Sequence, residues 1–416
     1  MSRNPLRLSL AVLTLALLPW AAPSASAAPA PERAGDRAVT WTRWDAGKEL
    51  RPGARSGLKV RQGSLVLEGA TARRTYRSTS YDVGTWTSPW TSPGHGITQL
   101  IASWSATTPR NSWVETRVRV TDGTTTGRWQ VLGRWTSGDK HVRRTSVPGQ
   151  SDALGRVDVD TWKSASATGA TGYQLQVRLM RRAGATSAAP TVAYVGAAAS
   201  AIPAGVPAVS APGPASAAGT VIPVPTYSQM IHAGQFPQYG GGGEAWCSPT
   251  SLSMVLGYYG KLPTSLGWVG ARTDPFVAEA ARRTYDTAYG GTGNWPFNTA
   301  YAASRGLDAF VTRLRSLTEA EQLVAAGIPV ITSVSFARGA LTGAPISSTN
   351  GHLLVVVGFT PSGDVVVNDP AGATNAAVRR TYSRAQFEAA WLGGSGGTAY
   401  VVHDAAHPLP ASPGNW

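Results

Sequence analysis

Between about residues 39 and 195 apolar and polar side chains alternate with a period of two. Residues 98–104, 113–120 and 173–179 carry the pattern most clearly, and such alternation marks strands with one buried face. Turn sequences such as Thr121-Asp122-Gly123 and Gly169-Ala170-Thr171-Gly172 separate them. No helical period intervenes, so an antiparallel β-sandwich over residues 38–198 is expected. Residues 199–220 are almost wholly Ala, Pro, Gly, Ser and Val; this composition reads as a linker too poor in apolar side chains to join two cores. From Val221 the pattern becomes mixed α and β. A helix over 248–259 sets Leu252, Val255, Leu256 and Tyr259 on one face and ends at Gly260. Thr318 and Glu321 read as a capping box for a helix stopping at Gly327, followed by a strand over 328–336. Residues 353–359 and 364–368 form two apolar strands joined by a Thr-Pro-Ser-Gly turn. The expected class is α+β, with a mixed domain over 221–404 and a short tail over 405–416.

Length agrees with two domains, because 416 residues exceed one ordinary core. The first residues change the picture. Arg3 and Arg7 precede an apolar run over 8–20, and Ala25-Ser26-Ala27 offers a small-x-small cleavage site. This is the form of a cleaved export signal over residues 1–27, with a secreted product. The run is too short to span a bilayer, and nothing later is long enough, so no transmembrane segment is expected. The net charge of +14 is uneven: residues 221–416 hold 11 Lys/Arg and 11 Asp/Glu, so the excess lies in the first half. For an exported, monomeric protein this favours an anionic cell-wall polymer as partner of the basic domain, with Arg73-Arg74, Arg143-Arg144 and Arg181-Arg182 as first contacts. Nucleic acid is not expected, since no reading motif accompanies the charge.

The chain has one cysteine, Cys247. A lone thiol outside the cell forms no internal disulfide, which makes it a candidate for chemistry. It stands directly before the helix that Pro249 helps to start, where free N–H groups and the helix dipole favour a thiolate. His352 opens the first strand of the apolar hairpin and Asp369 ends the second, so their side chains can meet. A carboxylate beside an imidazole fixes its tautomer and stabilises its cation, as a Cys-His-acid triad requires. His232, His403 and His407 lack metal-ligand spacing, and Gly240–Gly243 lacks the Lys and Ser/Thr of a phosphate loop; no metal or cofactor is expected.

Four motifs occur in order: Val224-Pro-Thr-Tyr-Ser-Gln229, Cys247-Ser-Pro-Thr-Ser-Leu, Gly351-His352 before an apolar strand, and Asn368-Asp-Pro-Ala-Gly372. Over residues 221–402 the chain resembles the bacteriocin-processing type of papain-like cysteine peptidase. The resemblance implies a papain-like fold, a peptide or protein substrate, Cys247 as nucleophile, His352 as base and Asp369 as the orienting acid. It also implies Gln229 as oxyanion donor; Gln235 and Gln238 precede the cysteine too, and Gln229 is preferred because it ends a strand-like motif that gives a rigid mount. The family usually has Gly after the cysteine, where this chain has Ser248. The expected function is a secreted cysteine peptidase or amidase. The rival is a cell-envelope binding protein whose papain-like domain is inactive; rapid alkylation of Cys247 discriminates the two.

Overall fold

The computed structural model describes residues 37–47, 50, 52–187 and 189–416; the export signal expected over residues 1–27 lies outside them. The alternating region forms strands. In chain order they are β1 (Ala38–Asp45), β2 (Ala54–Ser56), β3 (Leu58–Arg61), β4 (Ser64–Leu67), β5 (Ala72–Tyr76), β6 (Thr79–Thr87) and β7 (Gln99–Thr107). After them come β8 (Ser112–Thr121), β9 (Gln130–Trp135), β10 (Gly155–Asp158), β11 (Thr161–Ser164), β12 (Gly172–Arg182) and β13 (Thr191–Ala201). They build two antiparallel sheets. One runs β10-β11-β7-β13-β4-β3 with β1 also on β13; the other runs β2-β6-β12-β8-β9 with β5 also on β6. Alternation decides what each strand buries. Tyr173, Leu175, Val177 and Leu179 of β12 and Val114, Val118 and Val120 of β8 enter a core shared with Leu100 and Trp104 of β7. Trp44 of the first sheet meets Trp86 of the second edge-on at 5.9 Å.

The second half contains α1 (Cys247–Tyr258), α2 (Pro275–Thr284), α3 (Trp295–Ser304), β14 (Asp308–Arg313), α4 (Leu317–Ala325) and β15 (Val330–Phe336). It continues with β16 (Thr349–Phe359), β17 (Val365–Asn368), β18 (Arg379–Tyr382), α5 (Arg384–Glu388) and β19 (Thr398–His403). The strands form one antiparallel sheet, ordered β14-β19-β15-β16-β17-β18. The fold is therefore mixed α and β with antiparallel sheets. Helix α1 buries every residue from Ser248 to Leu256, a wider surface than the single face expected. Its small hydroxyls make this possible: Ser253 Oγ donates to Pro249 O at 2.8 Å, satisfying itself inside the helix.

Two expectations need correction. The helix expected to open at Thr318 starts at Leu317 after Ser316, because Thr318 and Glu321 are engaged elsewhere. Thr318 Oγ1 donates to Ala211 O at 2.8 Å, and Glu321 pairs with Arg384 at 2.8 Å. Residues 199–220 are not a loose connection either. Ser210 N and Gly213 N donate to Glu388 and Glu321 at 2.7 and 2.6 Å. Arg384 grips Ser210 O and Ala211 O, and Ala217 is fully buried. A segment poor in large apolar side chains can still be held through its backbone, and charge-assisted bonds do so strongly.

The two halves share one core. Phe297 of α3 packs against Trp104 and Trp135, with ring centroids at 6.3 and 5.7 Å. Trp41 stacks on Phe310 at 4.6 Å, and Arg43 pairs with Asp308 at 2.7 Å. Arg144, expected as an outward charge, is buried and donates to Thr136 O, Gly138 O and, across the boundary, Arg282 O at 2.6 Å. From the C-terminal tail, Gly414 O accepts Trp41 N at 2.8 Å.

Candidate active site

The site is assembled where α1 begins beside β16. Cys247, half-buried, is the first residue of α1. The first N–H groups of any helix lack intrahelical acceptors and carry partial positive charge, so they point at whatever anion sits there. Ser251 Oγ, one turn on, donates to Leu353 O at 3.0 Å and fixes α1 against the strand that carries His352.

His352 Nε2 lies 2.8 Å from Asp369 Oδ1, and both side chains are buried. With Nε2 so engaged, Nδ1 is the nitrogen left for the thiol of Cys247, with which His352 interacts directly. Asp369 is held on both oxygens: Oδ1 also accepts Ala371 N at 3.0 Å, and Oδ2 accepts Tyr382 Oη at 2.7 Å. The electrostatics follow from this arrangement. Burial alone would raise the thiol, yet the hydrogen bond and charge of His352, with help from Leu353 and Ser248 backbone groups, hold Cys247 below its ordinary value. Burial alone would lower the imidazole, yet Asp369 and the thiolate push His352 up to about 10. Asp369 would be raised by burial, but His352, Tyr382 and Ala371 N keep it below the ordinary carboxylate range. Both shifts favour a thiolate beside an imidazolium over the neutral pair.

Gln229 approaches the same point from the first motif. Its backbone N donates to Pro370 O at 2.8 Å, next to Asp369, and Ser228 N donates to Asn375 Oδ1 at 2.7 Å. Asn368 Nδ2 donates in turn to Pro225 O at 3.1 Å. The first and last motifs are thus laced together. Gln229 is buried, and Nε2 donates to Glu244 O at 2.7 Å, three residues before the cysteine. That contact needs the glycine run. Gly242 has φ 122°, open to glycine, and a Cβ on Gly243 would stand 2.5 Å from Gln229 O. Of the alternatives, Gln238 is exposed and Gln235 Nε2 donates back to Ile231 O at 3.1 Å.

Ser248, the departure from the family pattern, is fully buried and its Oγ is 3.0 Å from Tyr400 Oη, so the extra hydroxyl is satisfied. Tyr382, Tyr400 and Glu244 were not singled out from the sequence, and no local motif marks them. Nor was Tyr289, which is 51% exposed yet lies close enough to Cys247 to feel the thiolate charge.

The arrangement can form and hold a nucleophilic thiolate, donate a proton from Nδ1 and accept one back. Comparison with known proteins agrees with this chemistry. Residues 221–398, which include Gln229, Cys247, His352 and Asp369, match the family described as Peptidase_C39 like family. Residues 40–200 match the Peptidase C39 N-terminal domain. No curated protein matches the chain. Two family matches, one for each half of the molecule, join the geometry around Cys247 to one conclusion: both halves match C39 peptidase models, consistent with a C39-type papain-like cysteine peptidase family.

Proposed function

We propose that this protein is a secreted cysteine peptidase or amidase acting through Cys247, His352 and Asp369, with Gln229 as oxyanion donor. The observation that carries the reading is the buried His352–Asp369 pair at 2.8 Å beside a thiol held below its ordinary value. We read the second half as a papain-like arrangement, with the cysteine helix packed on the strand bearing the histidine. We read the two N-terminal sheets as a β-sandwich over residues 38–198, joined through residues 199–220 to a peptidase domain over 221–404. Export by a signal over residues 1–27 completes the proposal.

In this mechanism the Cys247 thiolate attacks the carbonyl carbon of a scissile amide, and the carbonyl electron pair moves to oxygen. The oxyanion accepts the Cys247 N–H and the second hydrogen of Gln229 Nε2, the first being held by Glu244 O. Collapse breaks the C–N bond, and the departing amine takes the proton from His352 Nδ1. A thioester remains. Water then gives a proton to the neutral imidazole, attacks the thioester and releases a carboxylic acid, restoring the thiolate–imidazolium pair. Asp369 keeps Nε2–H oriented throughout and stabilises the imidazolium.

The test is Cys247→Ala. Loss of hydrolysis of a peptide library, with unchanged circular dichroism and melting, supports the proposal; wild-type turnover in the folded variant overturns it. An inactive binding domain would require neither a depressed thiol nor a doubly anchored Asp369.

A further inference from the structure

The outer face of the β2-β6-β12-β8-β9 sheet carries an unbalanced array of charge. On β8 the side chains of Glu115, Arg117 and Arg119 alternate with the core residues Val114, Val118 and Val120. Directly opposite, in register, stand Arg178, Gln176 and Gln174 of β12, and Arg134 of β9 faces Glu115 from the other side. Glu115 is fully buried. Four guanidinium groups surround it: Arg74 at 2.7 Å, Arg134 at 2.8 Å, Arg117 at 3.8 Å and Arg178 at 3.9 Å. One carboxylate cannot balance four cations, and buried or half-buried charges are ordinarily paired. Arg119, the fifth, binds only the neutral Gln174 Oε1 at 2.8 Å among the polar contacts of the described residues.

The array is also rigid. Arg117 and Arg178 share Gln176 Oε1 at 3.3 and 2.9 Å, and Gln174 and Gln176 are anchored in turn to Ser88 O and Thr87 Oγ1. Aromatic rings are interleaved with the cations. The Arg119 guanidinium lies 4.7 Å from the Trp129 centroid and 5.3 Å from that of Trp90, and Arg134 lies 5.0 Å from Tyr76. Trp90 is 45% exposed, one of few large apolar side chains left in solvent. Repulsion among the guanidiniums, after burial, draws Arg117 down to about 10. The main strand contacts of the second half are with β7 and β13 of the other sheet, and the polar contacts of these arginines given above all lie within the first half.

We propose that this face is a binding site for an anionic polysaccharide, its acidic groups neutralising Arg117, Arg119 and Arg178 and its sugar rings lying on Trp90 and Trp129. Successive outward residues on a strand are about 6.7 Å apart and neighbouring strands about 4.8 Å, so the cations form a repeating grid suited to a polymer with regularly spaced acidic groups. Side chains fixed before binding lose little entropy when the polymer arrives. The guanidiniums are recessed, with Arg117 and Arg134 only 17% and 16% exposed, which suits a flexible chain laid along the sheet better than a flat bilayer. The preference for a sugar polymer over nucleic acid rests on the proposed export; the cationic, aromatic site itself does not.

The test uses the full chain with polygalacturonate as the probe, against neutral dextran, inorganic polyphosphate, single-stranded DNA and phosphatidylglycerol vesicles. Binding of polygalacturonate, weakening as salt rises, is expected, with at least tenfold loss in Arg119→Ala and in Trp129→Ala. Arg156→Ala, on the other sheet, should change affinity less than twofold. Should Arg119→Ala not fold, Arg178→Gln and Trp90→Phe carry the same comparison, with tenfold loss and less than threefold loss expected. Peptide hydrolysis should be unchanged in every face variant, so loss of one function is read separately from the other. Tighter binding of DNA, polyphosphate or vesicles than of polygalacturonate, or polygalacturonate binding indifferent to these variants, overturns the proposal.

Discussion

His352 Nε2 and Asp369 Oδ1 stand 2.8 Å apart with both side chains buried, and Tyr382 Oη closes the other carboxylate oxygen at 2.7 Å. A buried carboxylate so held stabilises the imidazolium, and the imidazolium stabilises the thiolate. The acylation rate should therefore be bell-shaped in pH. It rises as Cys247 loses its proton, below the ordinary thiol value, and falls as His352 loses its own at about 10. Asp369→Asn removes the charge that raises His352, so the upper limb should move to lower pH and turnover should fall roughly 10²- to 10⁴-fold. His352→Ala should cost more, about 10³- to 10⁶-fold. Stopped-flow acylation across pH checks both; an upper limb unmoved by Asp369→Asn contradicts the ion-pair account.

Gln229 is the second test of geometry. Gln229→Ala removes the proposed oxyanion donor and should lower kcat about 10²- to 10³-fold with little change in KM. Gln235→Ala and Gln238→Ala should be near neutral, since one is bonded to its own turn and the other is exposed. Steady-state kinetics of the three variants decides; a large loss in either alternative with none in Gln229→Ala would reassign the donor.

Tyr289 is exposed and feels the charge of Cys247, the proposed nucleophile, from a turn that packs against the glycine run at Gly240. An aromatic ring there offers apolar surface to a substrate side chain. Tyr289→Ala should raise KM about tenfold, in line with the roughly 1.5–3 kcal/mol of burying a large side chain, and change kcat less than threefold. Equal KM for a range of peptides would remove it from the substrate path.

How much of this was legible depended on where each signal resides. β8 was legible because Val114, Val118 and Val120 alternate with charged neighbours along one strand, and one buried face suffices to print that period. The His352–Asp369 pairing was legible because hairpin topology brings the strand ends together. Helix α3 left no amphipathic period, because it is buried from Pro296 to Ala303. Tyr382 reaches Asp369 from β18, thirteen residues on, with nothing local to mark it. The union of the halves was hidden for a different reason. Arg144 and Arg384 act by donating to backbone carbonyls, and composition counts them as surface charge.

That union makes its own prediction. Because Phe297 fills a site between Trp104 and Trp135, the full chain should unfold in one calorimetric transition. Phe297→Ala should destabilise it by about 3–5 kcal/mol. A chain starting near Val221 should melt lower or aggregate, with that aromatic surface bared. Two well-separated transitions, or a truncated chain as stable as the whole, would show the halves to be independent.

The proposed chemistry turns on the state of one thiol. Cys247 is the single cysteine of the chain, so the rate of its modification by iodoacetamide, followed by mass spectrometry from pH 4 to 10 on the folded full-length protein, reads that state without interference. The thiolate–imidazolium pair predicts rapid alkylation persisting well below the ordinary thiol value of about 8.5, and a shift of the whole profile to higher pH in His352→Ala. Alkylation that begins only above about pH 9, or only after unfolding, would contradict it.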